Sequence, residues 1–342
     1  MPEEYVLMEV CGTHTVNIFR FGLRKLLPPE VRLLSGPGCP VCVMPQEEID
    51  FLVELVGDPG VTLCVFGDLI KVPGSRGSLR EARARGARVR IIYSPLEAVQ
   101  VAEEEPARRV VLVGVGFETT APAHAVALLE ARKRRLKNFC FFSALRTMPP
   151  ALRALLSDSS LSLHGLLLPG HVSAVIGSHP YAFIPRDFGL PGVITGFEPR
   201  DILEGLLILL KLIKEGKATI EIQYSRVVRP EGNPWGQRLL KEVFRPVEGR
   251  WRGLGNIPES KLIPGPDYED LSAEEVFGVR LRPSPEPPGC RCGEVLRARI
   301  LPPECPLFGR LCTPENPVGP CMVSSEGSCA AYFRFESQGQ TI

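Results

Sequence analysis

The chain has 342 residues, 44% of them hydrophobic and 23% charged, with a formal net charge of +1 at pH 7. That length supports two or three domains, each with its own core. The balanced charge excludes a global pull toward nucleic acid or membrane, and the basic runs at 76–90 and 132–137 read as solvated helix faces.

The opening "MPEEYVLMEVCG" has no basic region followed by an apolar run, so it does not read as a signal peptide. Short β-branched runs then recur at 31–36, 61–67, 88–94, 108–116, 138–144, 164–170 and 192–197. Their continuous apolar character predicts strands buried on both faces. Helical patterns fill the gaps at 45–57, 78–86, 96–104, 121–135 and 149–157. The alternation predicts an α/β protein with two doubly wound parallel-sheet domains, 31–105 and 106–215, after an N-terminal segment 1–30.

The apolar stretch 201–216 is too short to span a bilayer, carries Glu204 and Lys211, and reads as a largely buried helix. Beyond it, 216–342 reads as a separate C-terminal domain. A strand and turn begin it, the helix "PWGQRLLKEVF" follows, and 256–289 is rich in proline and acid, which predicts irregular structure. The last part has six cysteines and little periodic apolar content, so a small irregular domain organised by metal is expected.

Ligands of open α/β sheets bind beyond the carboxyl ends of strands. The loops "SGPGCP", "FGDLIKVPGS", "GVGFETTAP", "SALRTMPP", "LPGHVS" and "TGFEPRD" all follow predicted strands, so they define the expected active face. "GVGFETT" has Thr119 at the third glycine position of a G-x-G-x-x-G and no phosphate loop occurs, which argues against a nucleotide site.

Cys11 and His14 in "MEVCGTHT" can bind one transition metal, or His14 can activate Cys11 as a nucleophile; a buried cysteine and a loop histidine are the bland alternative. Cys39 and Cys42 flank Pro40 at a strand-to-helix junction, and no second C-x-x-C completes a zinc site, which favours thiol–disulfide exchange. Cys290, Cys292, Cys305, Cys312, Cys321 and Cys329 can hold zinc or a [4Fe–4S] cluster, which their spacing alone does not distinguish. Glu118, Thr119 and Thr120 can bind a polar ligand or move a proton, or the threonines can cap a helix. His171 can line the site, whereas His124 reads as cover for an exposed helix flank, and His164 and His179 lack supporting context. Asp68 and Lys71 form an ion pair or belong to the site. Cys64 and Cys140 lie inside strands and read as core. Eleven cysteines without an export signal indicate a reducing compartment, hence the cytoplasm.

Together "MEVCGTHT", "GPGCPVCV", "GFETTAPA", "LPGHVS" and "CTPENPVGPCMVSSEGSCAAY" resemble the HypD family over nearly the whole chain. Its members help build the Fe(CN)2CO unit of [NiFe]-hydrogenases. Relatives generally carry an additional N-terminal helix, so the leader before Cys11 is short. The resemblance implies a scaffold that holds mononuclear iron with the small chaperone HypC. HypE delivers cyanide, and the hydrogenase large subunit is reached transiently through HypC. It makes Cys11 the iron-binding cysteine with His14 beside it, and Cys39 and Cys42 a redox dithiol. The family pattern C-x14-C-x6-C-x16-C falls on Cys290, Cys305, Cys312 and Cys329 as [4Fe–4S] ligands, leaving Cys292 and Cys321 over. An iron–sulfur thiol–disulfide oxidoreductase and a zinc-stabilised binding module are the alternative readings.

Overall fold

The structure is a computed structural model describing residues 4–336; the outer ends of the first and last expected segments, 1–3 and 337–342, lie outside the described residues. Runs of Val, Ile and Leu form nine parallel strands in two sheets. They are β1 (Tyr5–Glu9), β2 (Val31–Ser35), β3 (Val61–Val65), β4 (Val89–Ile91), β5 (Arg109–Gly116), β6 (Phe139–Leu145), β7 (Gly165–Pro169), β8 (Gly192–Thr195) and β9 (Ile220–Ile222). The larger sheet has the order β2-β1-β7-β8-β9 and the smaller β4-β3-β5-β6. Each order reverses direction beside its first strand, the doubly wound arrangement that opens a crevice at that point.

The strands do not group around residue 105, because β3 and β5 pair across it, with Val61 opposite Arg109. Instead the whole smaller sheet is inserted between β2 and β7 of the larger one. The strand–helix alternation is the same for either grouping, so periodicity carries no record of which strands pair.

Helices α1 (Gly12–Arg20), α2 (Gln46–Leu55), α3 (Leu79–Ala84), α4 (Pro95–Glu104), α5 (Ala121–Lys133), α6 (Met148–Leu156), α7 (Gly170–Ile176), α8 (Phe183–Phe188), α9 (Pro199–Lys214) and α10 (Pro234–Val243) connect and follow these strands. Ser78 and Ser94 start α3 and α4 with reciprocal capping boxes. Helix α9 is amphipathic rather than largely buried: Ile202, Leu206 and Leu209 pack on Leu7, Leu167 and Val193, while Leu207 faces outward. Among the described residues no helix is long and apolar enough to cross a membrane.

The stretch expected to be irregular contains a strand. β10 (Phe244–Trp251) and β11 (Gly255–Pro264) form an antiparallel hairpin with a bulge between Val247 and Gly249. Pro246, Pro258 and Pro264 hide it, since proline usually marks strand edges and breaks. The hairpin lies on the end of β6, where Thr147 N–H donates to Ser260 O at 3.0 Å. The segment after 276 is mostly loop with short helices, the last being Ser328–Phe335. Its Cys292, Cys312, Cys321 and Cys329 join Met8, Leu166, Val111 and Phe142 in one continuous buried cluster, so it is docked on the α/β body.

Candidate functional site

Strand β1 ends at the reversal point of the larger sheet, and Cys11 follows as the N-cap of α1. Its backbone N–H donates to Glu9 Oε2 at 3.1 Å, and Thr15 Oγ1 donates to Glu9 Oε1 at 2.5 Å. Burial pushes the Cys11 thiol up to about 12, helped by the Glu326 and Glu9 carboxylates and opposed by the His14 and Thr13 amides. Burial likewise raises Glu9 to about 7.

His14 is fully buried, with Nε2 2.9 Å from Gly196 O and 2.9 Å from Thr195 Oγ1. A carbonyl only accepts, so the proton sits on Nε2 and Nδ1 carries the lone pair. That Nδ1 is buried without a hydrogen-bond partner. Burial lowers His14 to about 4, keeping the ring neutral and able to act as a ligand. Phe197 stacks on His14 at 4.7 Å and on exposed His171 at 3.8 Å. His171 therefore reaches the edge of the site through Phe197.

Cys39 and Cys42 are joined in a disulfide, and the Cys42 amide donates to Cys39 Sγ at 3.1 Å. The pair lies between β2 and α2, as its sequence position predicts, but α2 starts only at Gln46. The turn meets Cys11 directly: Gly12 N–H donates to Gly38 O at 3.0 Å. This contact brings the turn that carries Cys11 and His14 against the turn that carries the disulfide.

Glu118 follows β5, at the reversal point of the smaller sheet, and is 4% exposed. Oε1 accepts from the Met148 amide at 2.9 Å, while Oε2 is buried without a partner. Burial raises this carboxyl to about 7, poised for proton transfer near neutral pH. Thr119 and Thr120 are exposed, and Thr120 occupies the N-cap of α5 without a side-chain cap bond. His124 does not cover an exposed flank. It is buried beside Phe66 and Phe141, its Nδ1 donating to Thr120 O at 3.0 Å. Cys64 and Cys140 are buried strand residues whose thiols burial pushes up to about 12 and about 11.

Asp68 engages the C-terminal segment instead of Lys71, accepting from Ser325 N at 3.0 Å and Ser325 Oγ at 2.9 Å. Beside it, Glu326 accepts from Thr13 Oγ1 at 2.7 Å, and burial raises its carboxyl. Sequence reasoning missed Glu326 and Glu9 as neighbours of Cys11. For Glu326 the available signal was its place in "SSEGSC", inside a motif already singled out.

Cys290, Cys292, Cys305, Cys312 and Cys329 line one small apolar cavity, and fully buried Cys321 lies against Cys292 and Cys329. A Cβ on Gly319 would stand 2.6 Å from Cys290 Sγ, so only glycine leaves room for the sulfur. Among the described residues no group of three or more His, Cys, Asp or Glu side chains is arranged to hold a metal ion. Cys292 instead contacts Cys290, Cys321 and Cys329. In donor chemistry the cavity fits an iron–sulfur cluster, since five cysteine sulfurs, Cys292 among them, line one apolar space.

A double parallel α/β body whose strand-end loops gather cysteines from both ends of the chain is the class defined here. The sequence matches the family described as "HypD: Hydrogenase formation hypA family" over residues 1–336. It is 47% identical to the hydrogenase maturation factor HypD of Rhodobacter capsulatus over 334 residues, 96% of this chain and 89% of the relative. It is also 47% identical to HypD of Escherichia coli K12 over 338 residues, covering 97% and 89%, and 45% identical to HypD of Azotobacter vinelandii over 346, covering 99% and 91%. The chain belongs to the HypD family of hydrogenase maturation factors.

Proposed function

We propose that this chain is the scaffold on which the Fe(CN)2CO unit of [NiFe]-hydrogenase is assembled. Iron is its cargo, bound by Cys11 and held jointly with HypC, through which the finished unit reaches the hydrogenase large subunit. The observation that carries this reading is the contact of the Cys11 turn with the dithiol turn, Gly12 N–H to Gly38 O at 3.0 Å. It supports a reading in which the Cys11 turn, suited to bind metal, works beside a cysteine pair suited to redox exchange. The unpartnered Nδ1 of neutral His14 is a second available donor. Because burial keeps the Cys11 thiol protonated, iron binding there releases a proton.

Cyanide arrives as a thiocyanate on HypE. Its S–C bond breaks as two electrons enter, giving a thiolate and a cyanide that remains on iron. The Cys39/Cys42 dithiol supplies those electrons, closing to the disulfide and releasing two protons. Glu118, with a carboxyl near neutrality, is suited to accept one of them. Cys290, Cys305, Cys312 and Cys329 would hold a [4Fe–4S] cluster, which supplies single electrons when bound.

Cys11→Ser tests the reading. The variant, co-purified with HypC, should keep its fold and its C-terminal absorbance while losing mononuclear iron. Infrared bands of metal-bound cyanide and carbon monoxide that persist in the variant would show that Cys11 is not the anchor.

A further inference from the structure

The hairpin β10–β11 grips the residues that follow the disulfide. Arg252, at its turn, is 1% exposed. Its backbone N–H donates to Val43 O at 2.8 Å, Nε to Met44 O at 2.9 Å and Nη2 to Gln46 Oε1 at 3.2 Å. Its charge is paired with Glu286. The next two residues of α2 are held as well: Arg250 pairs with Glu47 at 3.4 Å and Lys261 with Glu48 at 3.0 Å. Arg146 adds a second contact to Glu48 at 2.7 Å.

The other side of the same turn touches the cysteine-rich segment. Gly253 has φ +77°, and a Cβ there would stand 2.4 Å from Gly293 O, one residue past Cys292. Consecutive residues of one tight turn thus contact the dithiol loop and the cysteine-rich segment.

Filling this space with an apolar side chain would avoid the desolvation of a buried guanidinium. What the guanidinium adds is direction, since its planar fork fixes Met44 O and Gln46 Oε1 together. Those groups lie within four residues of Cys42, so fixing them anchors the chain that leads out of the disulfide. We propose that Arg252 is a positioning residue for the Cys39–Cys42 pair, holding its loop in the disulfide-forming geometry against the cysteine-rich segment. This rests on the redox reading of that pair and names what sets its thiol–disulfide equilibrium.

The test equilibrates intact protein with dithiothreitol redox buffers and reads Cys39 and Cys42 by differential alkylation and mass spectrometry. In that exchange the S–S bond breaks, and two electrons and two protons pass from the dithiothreitol, which closes to its cyclic disulfide. Arg252→Met removes the directed bonds and should let the disulfide be reduced about tenfold more readily, the effect of losing one strong charge-assisted hydrogen bond. Arg252→Lys keeps a charge opposite Glu286 but lacks the fork, so it should shift the same way, and it decides the matter if Arg252→Met does not fold. A merely structural role would lower the unfolding midpoint without moving this native-state equilibrium. Variants within twofold of wild type overturn the inference alone. A wild-type disulfide that no buffer reduces overturns the redox reading and the inference with it.

Discussion

Gly38 lies so close to Cys11 that a Cβ on it would stand 2.3 Å from the Cys11 nitrogen and 2.4 Å from its Cα. Two backbone turns are in direct contact there, one leading into the dithiol and one into α1. No side chain fits between them.

Gly38→Ala is therefore expected to force the turns apart. Overpacking of this kind costs about 1–3 kcal/mol, to be read by urea denaturation. The variant should also retain less iron when co-purified with HypC. Wild-type stability together with wild-type iron content would show that the two turns act independently.

Glu118→Gln should change the pH dependence of stability in a defined direction. The Glu118 carboxyl is raised from 4.5 to about 7 by burial, so the folded state binds its proton more tightly than the unfolded chain does. Its contribution is fully present below pH 4.5 and is lost as pH rises through about 7. Glutamine stays neutral and keeps an oxygen for the Met148 amide. Against wild type, the variant should be about equal at pH 4.5 and gain up to about 3 kcal/mol by pH 8. Denaturant midpoints at the two pH values decide it. Parallel curves would mean that Glu118 does not carry its proton in the folded protein.

Cys312→Ala should abolish broad absorbance near ~400 nm and reduce bound iron and sulfide. Since metal binding is coupled to local folding, the segment after 276 should also become more sensitive to limited proteolysis, with the α/β body intact. Unchanged absorbance with an unchanged cleavage pattern would remove Cys312 from the ligand set.

Much of the body was legible because each buried strand announces itself locally. β5, "RVVLVGVG", is apolar on both faces and ends in glycine, so both its buried position and its functional end could be read. Cys39 and Glu118 are legible as strand-end residues for the same reason, since each lies just past such a strand. What escaped depends on residues far apart in the chain. Arg252 acts on Met44 across 208 residues, and Glu326 meets Thr13 across 313. His124 was misjudged because the alanines of α5 at 121, 125, 127 and 131 are all buried, leaving too faint an apolar stripe to show which flank faces inward. The hairpin was concealed by its own prolines.

The insertion of one sheet inside the other also orders events during synthesis. β1 has β2 available early, but its other neighbour, β7, emerges only after the whole smaller sheet, with Leu7 opposite Gly165. The Cys11 turn gains its last partner later still, when Glu326 leaves the ribosome to accept from Thr13. A nascent chain thus carries Cys11 through the span of 313 residues between Thr13 and Glu326 before this part of its surroundings closes. Any chain released short of Glu326 would hold all three cysteines in surroundings that lack the carboxylate accepting from Thr13.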